Sequence, residues 1–328
     1  MTSQFTLNRR TLLTGAAALA ALPVVGAMLP GAAFAAAPQL GPMRASVYRV
    51  KLGAFEVTTI LDGAIQADGP HPIFGMNQPV EAVQAFAQEN FLPPTKIENS
   101  FTPVIVNTGK EVVLFDAGNG AGRRPNAGKL AVKLAEAGLK AEDVDVVVIT
   151  HCHGDHIGGL MEDGKPLFPK ARYVIGETEY GFWSAPERLS GPTENAAKLV
   201  AANVTPFKEK MTFIKDQDEV AAGIRAVAAP GHTPGHTAFH IESEGKRLLL
   251  GADFCNHYVL SLQRPDWEVR FDADKAAAAA TRKKLLDMIA TDRIPFTSYH
   301  MPFPAVGYVE KTSDGGYRYV PATYQLTL

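Results

Sequence analysis

Cysteine is scarce: the 328-residue chain has two, Cys152 and Cys255. That allows one internal disulfide at most and excludes both a disulfide-stapled scaffold and a Cys-rich metal knuckle. An excess of either charge is lacking as well. Thirty-two Lys and Arg stand against 34 Asp and Glu, a formal net charge of −2. No basic run is dense enough to grip a polyanion, so nucleic acid is not expected as a partner. Low-complexity linkers and short-period repeats are missing, which favours one domain over a string of modules. A hydrophobic content of 46% excludes disorder and suffices for a genuine core.

What is present begins with a leader. The first 37 residues carry Arg9 and Arg10, no acidic residue, and the start of an uncharged stretch from Thr11 to Leu40. The order Asn8-Arg9-Arg10-Thr11-Leu12-Leu13 resembles a twin-arginine export signal, with small-residue cleavage sites ending at Ala35 or Ala37. The competing reading is a membrane anchor. The stretch is long enough, but it is mostly Ala and Gly and is broken by Pro23 and Pro30, a poor permanent span. The expectation is a signal over 1–37, a single domain over 38–328, a periplasmic or secreted location, and membrane contact only through the signal.

Beyond Ser46 the chain alternates strand-like and helix-like segments. Apolar runs such as Val112 to Phe115, Val144 to Thr150 and Arg247 to Gly251 read as strands buried on both faces. Helices are expected at Val80 to Glu89, Ala127 to Ala137 and Asp274 to Ala290, the last with Asp272 or Asp274 as its cap. The pattern implies a layered α/β arrangement. The Pro-rich segment from Asp68 to Asn99, apart from its short helix, is expected to be a loop over a pocket.

The chemistry-bearing residues gather where buried strands end. Val146-Val147-Val148-Ile149 runs into His151-Cys152-His153-Gly154-Asp155-His156, three imidazoles and a carboxylate within six residues. A lone histidine is ordinarily a core or surface side chain, but this crowding is rare without a metal. Alternate residues of an extended segment point the same way, so His151 and His153 converge on one ion. Asp155 and His156, turned by Gly154, face a second. Further candidates are His232 and His236 in Gly231-His232-Thr233-Pro234-Gly235-His236, Asp253 after an apolar strand, where it could bridge two cations, and His300 after Thr297-Ser298-Tyr299.

The set H-x-H-x-D-H, G-H-T-P-G-H, strand-terminal Asp and strand-terminal His resembles the metallo-β-lactamase superfamily. The likeness extends to its methyl parathion hydrolase-like members through Ala37-Pro38-Gln39, Tyr48-Arg49, Phe55-Glu56-Val57 and Gly316-Tyr317-Arg318-Tyr319-Val320-Pro321. The resemblance implies an αβ/βα four-layer sandwich with metals at one edge of the sheets. It places His151, His153 and His236 on one metal, Asp155, His156 and His300 on the other, and Asp253 between them. Two Zn2+ per chain are expected, other divalent metals being admissible. Asp116, after Val112 to Phe115, is implied to brace the metal loop, and His232 is expected to brace its own loop rather than ligate. Trp183, preceded by Phe182, matches an aromatic position of the family's leaving-group pocket, and Phe254 and Tyr258 are further substrate-side candidates.

Two close cations would let a bridging water ionise near neutral pH and attack an ester carbonyl or phosphorus, with no serine or cysteine nucleophile. Asp253 and Asp155 are the expected catalytic carboxylates, Asp253 relaying the proton. Lactones, including acyl-homoserine lactones, or aryl esters are the expected substrates. Phosphotriesters are the alternative, although Arg123-Arg124-Pro125 stands where methyl parathion hydrolase-like proteins carry an aromatic segment. The expected partner is thus a small neutral ester, lactone or phosphotriester, with a homodimer left open. Two readings of other classes stay open beside these: an iron-dependent redox protein on the same fold, and a noncatalytic binding protein, whose usual mark would be lost ligands. Metal analysis with a substrate panel separates them.

Overall fold

Short valine-rich runs dictate the layering. In Val146–Ile149, Val146 and Val148 pack into one apolar cluster and Val147 and Ile149 into another, so both faces of the strand are covered. The same strand sits inside a seven-stranded sheet ordered Val47–Leu52, Phe55–Ile60, Val104–Asn107, Val112–Phe115, Val146–Ile149, Arg172–Gly176, Met211–Ile214. The last four strands run parallel. A second seven-stranded sheet is ordered Glu219–Ala221, Ile224–Ala228, Thr237–Ser243, Lys246–Leu250, Phe296–Thr297, Val306–Lys311, Tyr317–Pro321. It is antiparallel except where Lys246–Leu250 meets Phe296–Thr297.

The structure, a computed structural model, describes residues 38–328, and the expected signal over 1–37 lies outside the described residues. Within Arg44–Leu328 the two sheets face each other across a core of Val57, Val106, Phe115 and Val148 from the first and Ile224, Phe239, Ile241 and Leu250 from the second. Helices Leu130–Glu136, Glu177–Ser184 and Glu194–Asn203 cover the outer face of the first sheet through Leu134, Trp183 and Val200. Helix Lys275–Asp292 covers the second through Leu285, Leu286 and Ile289. The result is the αβ/βα four-layer sandwich. Asp274 caps the long helix, its side chain accepting from the Ala277 N–H at 2.9 Å. No helix among the described residues is long and apolar enough to cross a membrane.

The segment expected as a loop is more ordered than that. Gly63–Asp68 pairs antiparallel with Lys96–Phe101, from Gly63 opposite Phe101 to Asp68 opposite Lys96. Between them helix Val80–Glu89 buries Val83 and Phe86 against Ile73, Phe74, Trp267 and Val269. This hairpin and its helix form a wall beside the edge where the ligand-bearing strands end.

Candidate metal centre

Segments following the strands of both sheets meet at one edge. From the first sheet, residues 150–156 leave Val146–Ile149. From the second come His232 after Ile224–Ala228, Asp253 after Lys246–Leu250, and His300 after Phe296–Thr297. His151 Nε2 lies 3.1 Å from His153 Nδ1 and 3.9 Å from Asp253 Oδ2. Asp253 Oδ1 is 3.3 Å from His156 Nε2, while its Oδ2 is 3.1 Å from His300 Nε2 and 3.3 Å from His232 Nε2. Asp155 Oδ2 closes the far side, 3.5 Å from His156 Nε2 and 3.4 Å from His300 Nε2. Ligand atoms thus group as His151, His153, His232, as His151, His156, Asp253, and as Asp155, His156, His300, each within 4.8 Å.

One assignment changes. His232, expected to brace, takes the place expected for His236. Both ring nitrogens of His236 are engaged elsewhere, Nδ1 with the Ala229 carbonyl at 3.0 Å and Nε2 accepting from the Asp253 N–H at 3.0 Å. His236 therefore holds the backbone of Asp253 in place instead of facing the cluster. The chain enters the loop of both histidines through Gly231, at φ +126°, where a Cβ would fall 2.2 Å from the Ala278 nitrogen.

A divalent cation pair fits what the side chains leave open. His156 Nε2, His232 Nε2 and Asp253 Oδ1 are buried and have no hydrogen-bond partner, a costly arrangement for apolar surroundings to bear without a cation. Burial holds His151 well below the usual imidazole range and His153 at about 3, leaving both neutral, as ligation requires. For His156, His300 and His232 burial pulls the same way, but carboxylates overcome it. Asp253, Asp116 and Asp155 lift His156 well above its ordinary value, Asp253 and Asp155 lift His300, and Asp253 and Asp272 take His232 to about 9. The buried carboxylates demand positive charge, which protons or divalent cations can supply.

Buried carboxylates pin the segment 150–156 and the loop of His232. Asp116 accepts from the Thr150 N–H at 2.9 Å and the Thr150 hydroxyl at 2.8 Å, and its Oδ2 meets His156 Nδ1 at 2.8 Å. Sequence reasoning had Asp116 but missed three others. Asp272, considered only as a helix cap, orients His232 through Nδ1 at 2.8 Å and is itself bonded by the buried Arg282 at 2.9 Å. Glu179 ties the two histidine loops together. It accepts from the Cys152 N–H (2.8 Å), the Trp183 indole (2.8 Å), the Thr233 hydroxyl (2.7 Å) and the Gly235 N–H (3.0 Å). Burial pushes its carboxyl above the ordinary value while those four donors pull it back. Asp62 anchors the neighbouring loop, accepting from the backbone of Asn119, Gly128 and Leu130 and the Asn119 amide. No local motif marks any of the three. Cys152 and Cys255 are free, buried thiols, with no disulfide between them.

A cavity of about 340 Å3 opens onto His153, Asp155, His232, Asp253 and His300. Its apolar wall is Ile65, Ile73, Phe74, Ile97, Phe101 and Phe271, drawn from the hairpin and the segment beside it. The substrate-side aromatics expected from the sequence are elsewhere. Trp183 shares a face of helix Glu177–Ser184 with Glu179, one turn earlier, and packs into the core behind the first sheet, its ring 6.4 Å from His153. Phe182 lies under the Arg188 guanidinium at 4.0 Å. Phe254 packs onto Phe296 in the core against the second sheet. Tyr258 stacks on His257 and lines a separate cavity of about 630 Å3. The two cavities share Ile97 and His300.

Residues 101–293 match the model of the metallo-beta-lactamase superfamily. The chain belongs to that superfamily. An N-acyl homoserine lactonase of Bacillus cereus is 28% identical over 122 residues, 37% of this chain and 42% of that protein. A probable metallo-hydrolase of Mycobacterium tuberculosis is 30% identical over 136 residues, 39% of this chain and 42% of its own length. The chain thus spans less than half the length of these curated relatives. Among solved structures, AidC, a dizinc quorum-quenching lactonase, superposes with a TM-score of 0.78 at 27% identity, covering 85% of this chain and 98% of that one. The hydrolase AbOPH gives 0.78 at 23% identity, covering 87% of this chain and all of its own, a likeness of fold.

Proposed function

We propose that the chain is a metal-dependent hydrolase of carboxylic esters, with lactones, N-acyl homoserine lactones among them, as its leading substrate class. The observation that carries the reading is the trio of buried, unpartnered ligand atoms on His156, His232 and Asp253, of which His232 and Asp253 line an apolar-walled cavity. The similarity to AidC and to the Bacillus lactonase supports the lactone class. Imidazole and carboxylate donors without thiolate favour zinc as the native metal. Bound there, two cations would polarise an ester carbonyl and lower the pKa of water at the site.

The chain's own residues do the rest. Asn256 donates from Nδ2 to Asp253 Oδ2 at 3.1 Å and, with His236 on its backbone, keeps that carboxylate oriented between the two ligand groups. Asp155, at 22% side-chain exposure against 3% for Asp253, takes over the proton relay expected of Asp253 and would carry the proton from the attacking water toward the leaving alcohol. Ile73, Phe74, Ile97 and Phe101 exclude water from the acyl side. Arg9 and Arg10 support export of the folded chain to the periplasm or beyond. The test is elemental analysis of metal-replete protein together with a panel of lactones, aryl esters and phosphotriesters. About two zinc per chain with lactones turned over fastest is the expected result. Fewer than one cation per chain, or turnover of phosphotriesters alone, overturns the proposal.

A further inference from the structure

The carboxylates that line the cavity, Asp155 and Asp253, both belong to the metal cluster. The other charged side chains in its lining are two arginines, Arg123 and Arg270. Neither guanidinium has a carboxylate partner or a hydrogen bond among the described residues. Arg124 next door is the contrast: it forks onto Glu162 at 2.7 and 3.0 Å and donates to the Gly128 carbonyl at 2.8 Å.

Both free arginines hang from pinned backbone. The turn Ala121–Arg123 lies between Asn119 and Gly128, whose N–H groups are both fixed by the buried carboxylate of Asp62. Arg270 donates its own N–H to the Ile73 carbonyl at 2.9 Å, accepts from Lys275 Nζ at 3.0 Å, and follows Val269, which bridges to Phe74. Its guanidinium stands 4.9 Å over the Phe271 ring, which shares the wall. Two exposed, unpaired arginines in the lining of one cavity suit an anion better than a neutral chain end.

We propose that Arg123 and Arg270 are specificity-determining residues that bind an anionic group, a carboxylate by preference, on the part of the substrate remote from the scissile ester. The inference rests on the hydrolase reading and adds to it a preference, among esters and lactones, for those that carry a remote carboxylate.

The test compares the 4-nitrophenyl monoester of suberic acid with the same ester bearing a terminal carboxamide, on zinc-loaded full-length chain. The acidic ester should lead in kcat/KM by about 10- to 100-fold, the effect of one or two charge-assisted hydrogen bonds. The lead should shrink with added salt, fall in Arg123→Gln and in Arg270→Gln, and vanish in the double variant, with zinc content unchanged. Calorimetry with the matching non-hydrolysable anilides reads the same preference without turnover. A ratio near unity in the parent, or one unchanged in the double variant, overturns the inference while leaving the hydrolase reading intact. Tighter binding of the anionic anilide by a protein that hydrolyses no ester does the reverse.

Discussion

Replacing Glu179 by Gln tests how far one buried carboxylate carries the metal centre. The side chain accepts four hydrogen bonds, two on each oxygen. An amide of the same shape keeps one acceptor oxygen, so two donors are lost as partners and the new NH2 must face them. Each stranded buried donor costs about 1–3 kcal/mol. Removing a negative charge from a fully buried position returns part of that, because burial already pushes the carboxyl's pKa up. The net expectation is a loss of about 2–4 kcal/mol, which for a domain of this size lowers Tm by roughly 3–7 °C. The residues released are Cys152, between His151 and His153, and Thr233 and Gly235, just after His232, so cation affinity should fall by about 10-fold or more. Thermal melting of metal-free protein and chelator competition measure the two effects separately. Glu177→Gln, on an exposed residue of the same helix paired only with Lys215, is the control and should change little. A Glu179→Gln protein that melts within 2 °C of the parent and holds its cations as tightly would refute the reasoning.

Three further outcomes are expected. His232→Ala should remove about one cation per chain, whereas His236→Ala should cost about 1–3 kcal/mol of stability, by freeing the Asp253 N–H and the Ala229 carbonyl, with a smaller effect on metal content; elemental analysis beside urea melts decides, and equal metal loss in both variants would contradict the assignment. Trp183→Ala should cost about 3–5 kcal/mol and leave the ranking of aryl against alkyl esters unchanged, because the indole is core; a changed ranking in a stable protein would return it to the substrate site. Metal uptake should release protons and weaken on acidification. Carboxylates raise His156, His300 and His232, the last to about 9, so protons compete with cations up to that pH and lose as it rises. Chelator competition at pH 6, 7 and 8 reads the slope, and a pH-independent affinity would sink the argument.

Sequence and structure agree best where a signal is local. Val112–Phe115, Val146–Ile149 and Lys246–Leu250 announce buried strands by composition, and the ligands follow within a few residues, so the cluster is legible without coordinates. Asp274 as a cap and helix Val80–Glu89 are read at their observed positions for the same reason. The hairpin Gly63–Asp68 with Lys96–Phe101 is not, because its polar strands lie far apart in sequence and are held by a cluster built from residues up to Val269. The choice between His232 and His236 is also invisible locally. Both stand in one loop four residues apart, and what separates them is that Asp272 reaches one and the Ala229 carbonyl reaches the other. Glu179 and Glu177 look alike in sequence as acids of one short helix, yet one is fully buried and the other exposed.

The ligands are divided between the sheets: residues 151–156 follow a strand of the first, and His232, Asp253 and His300 follow strands of the second. Each ligand group draws on both halves of the chain, so the complete site forms only when the two halves dock. Once bound, the cations act as a rivet across the sandwich, adding stability in proportion to the logarithm of their concentration over Kd. Chelation should therefore loosen the interior between Phe115 and Phe239 as well as silence the edge, and a cavity cut there, as in Val148→Ala, should surface first as a leak of metal.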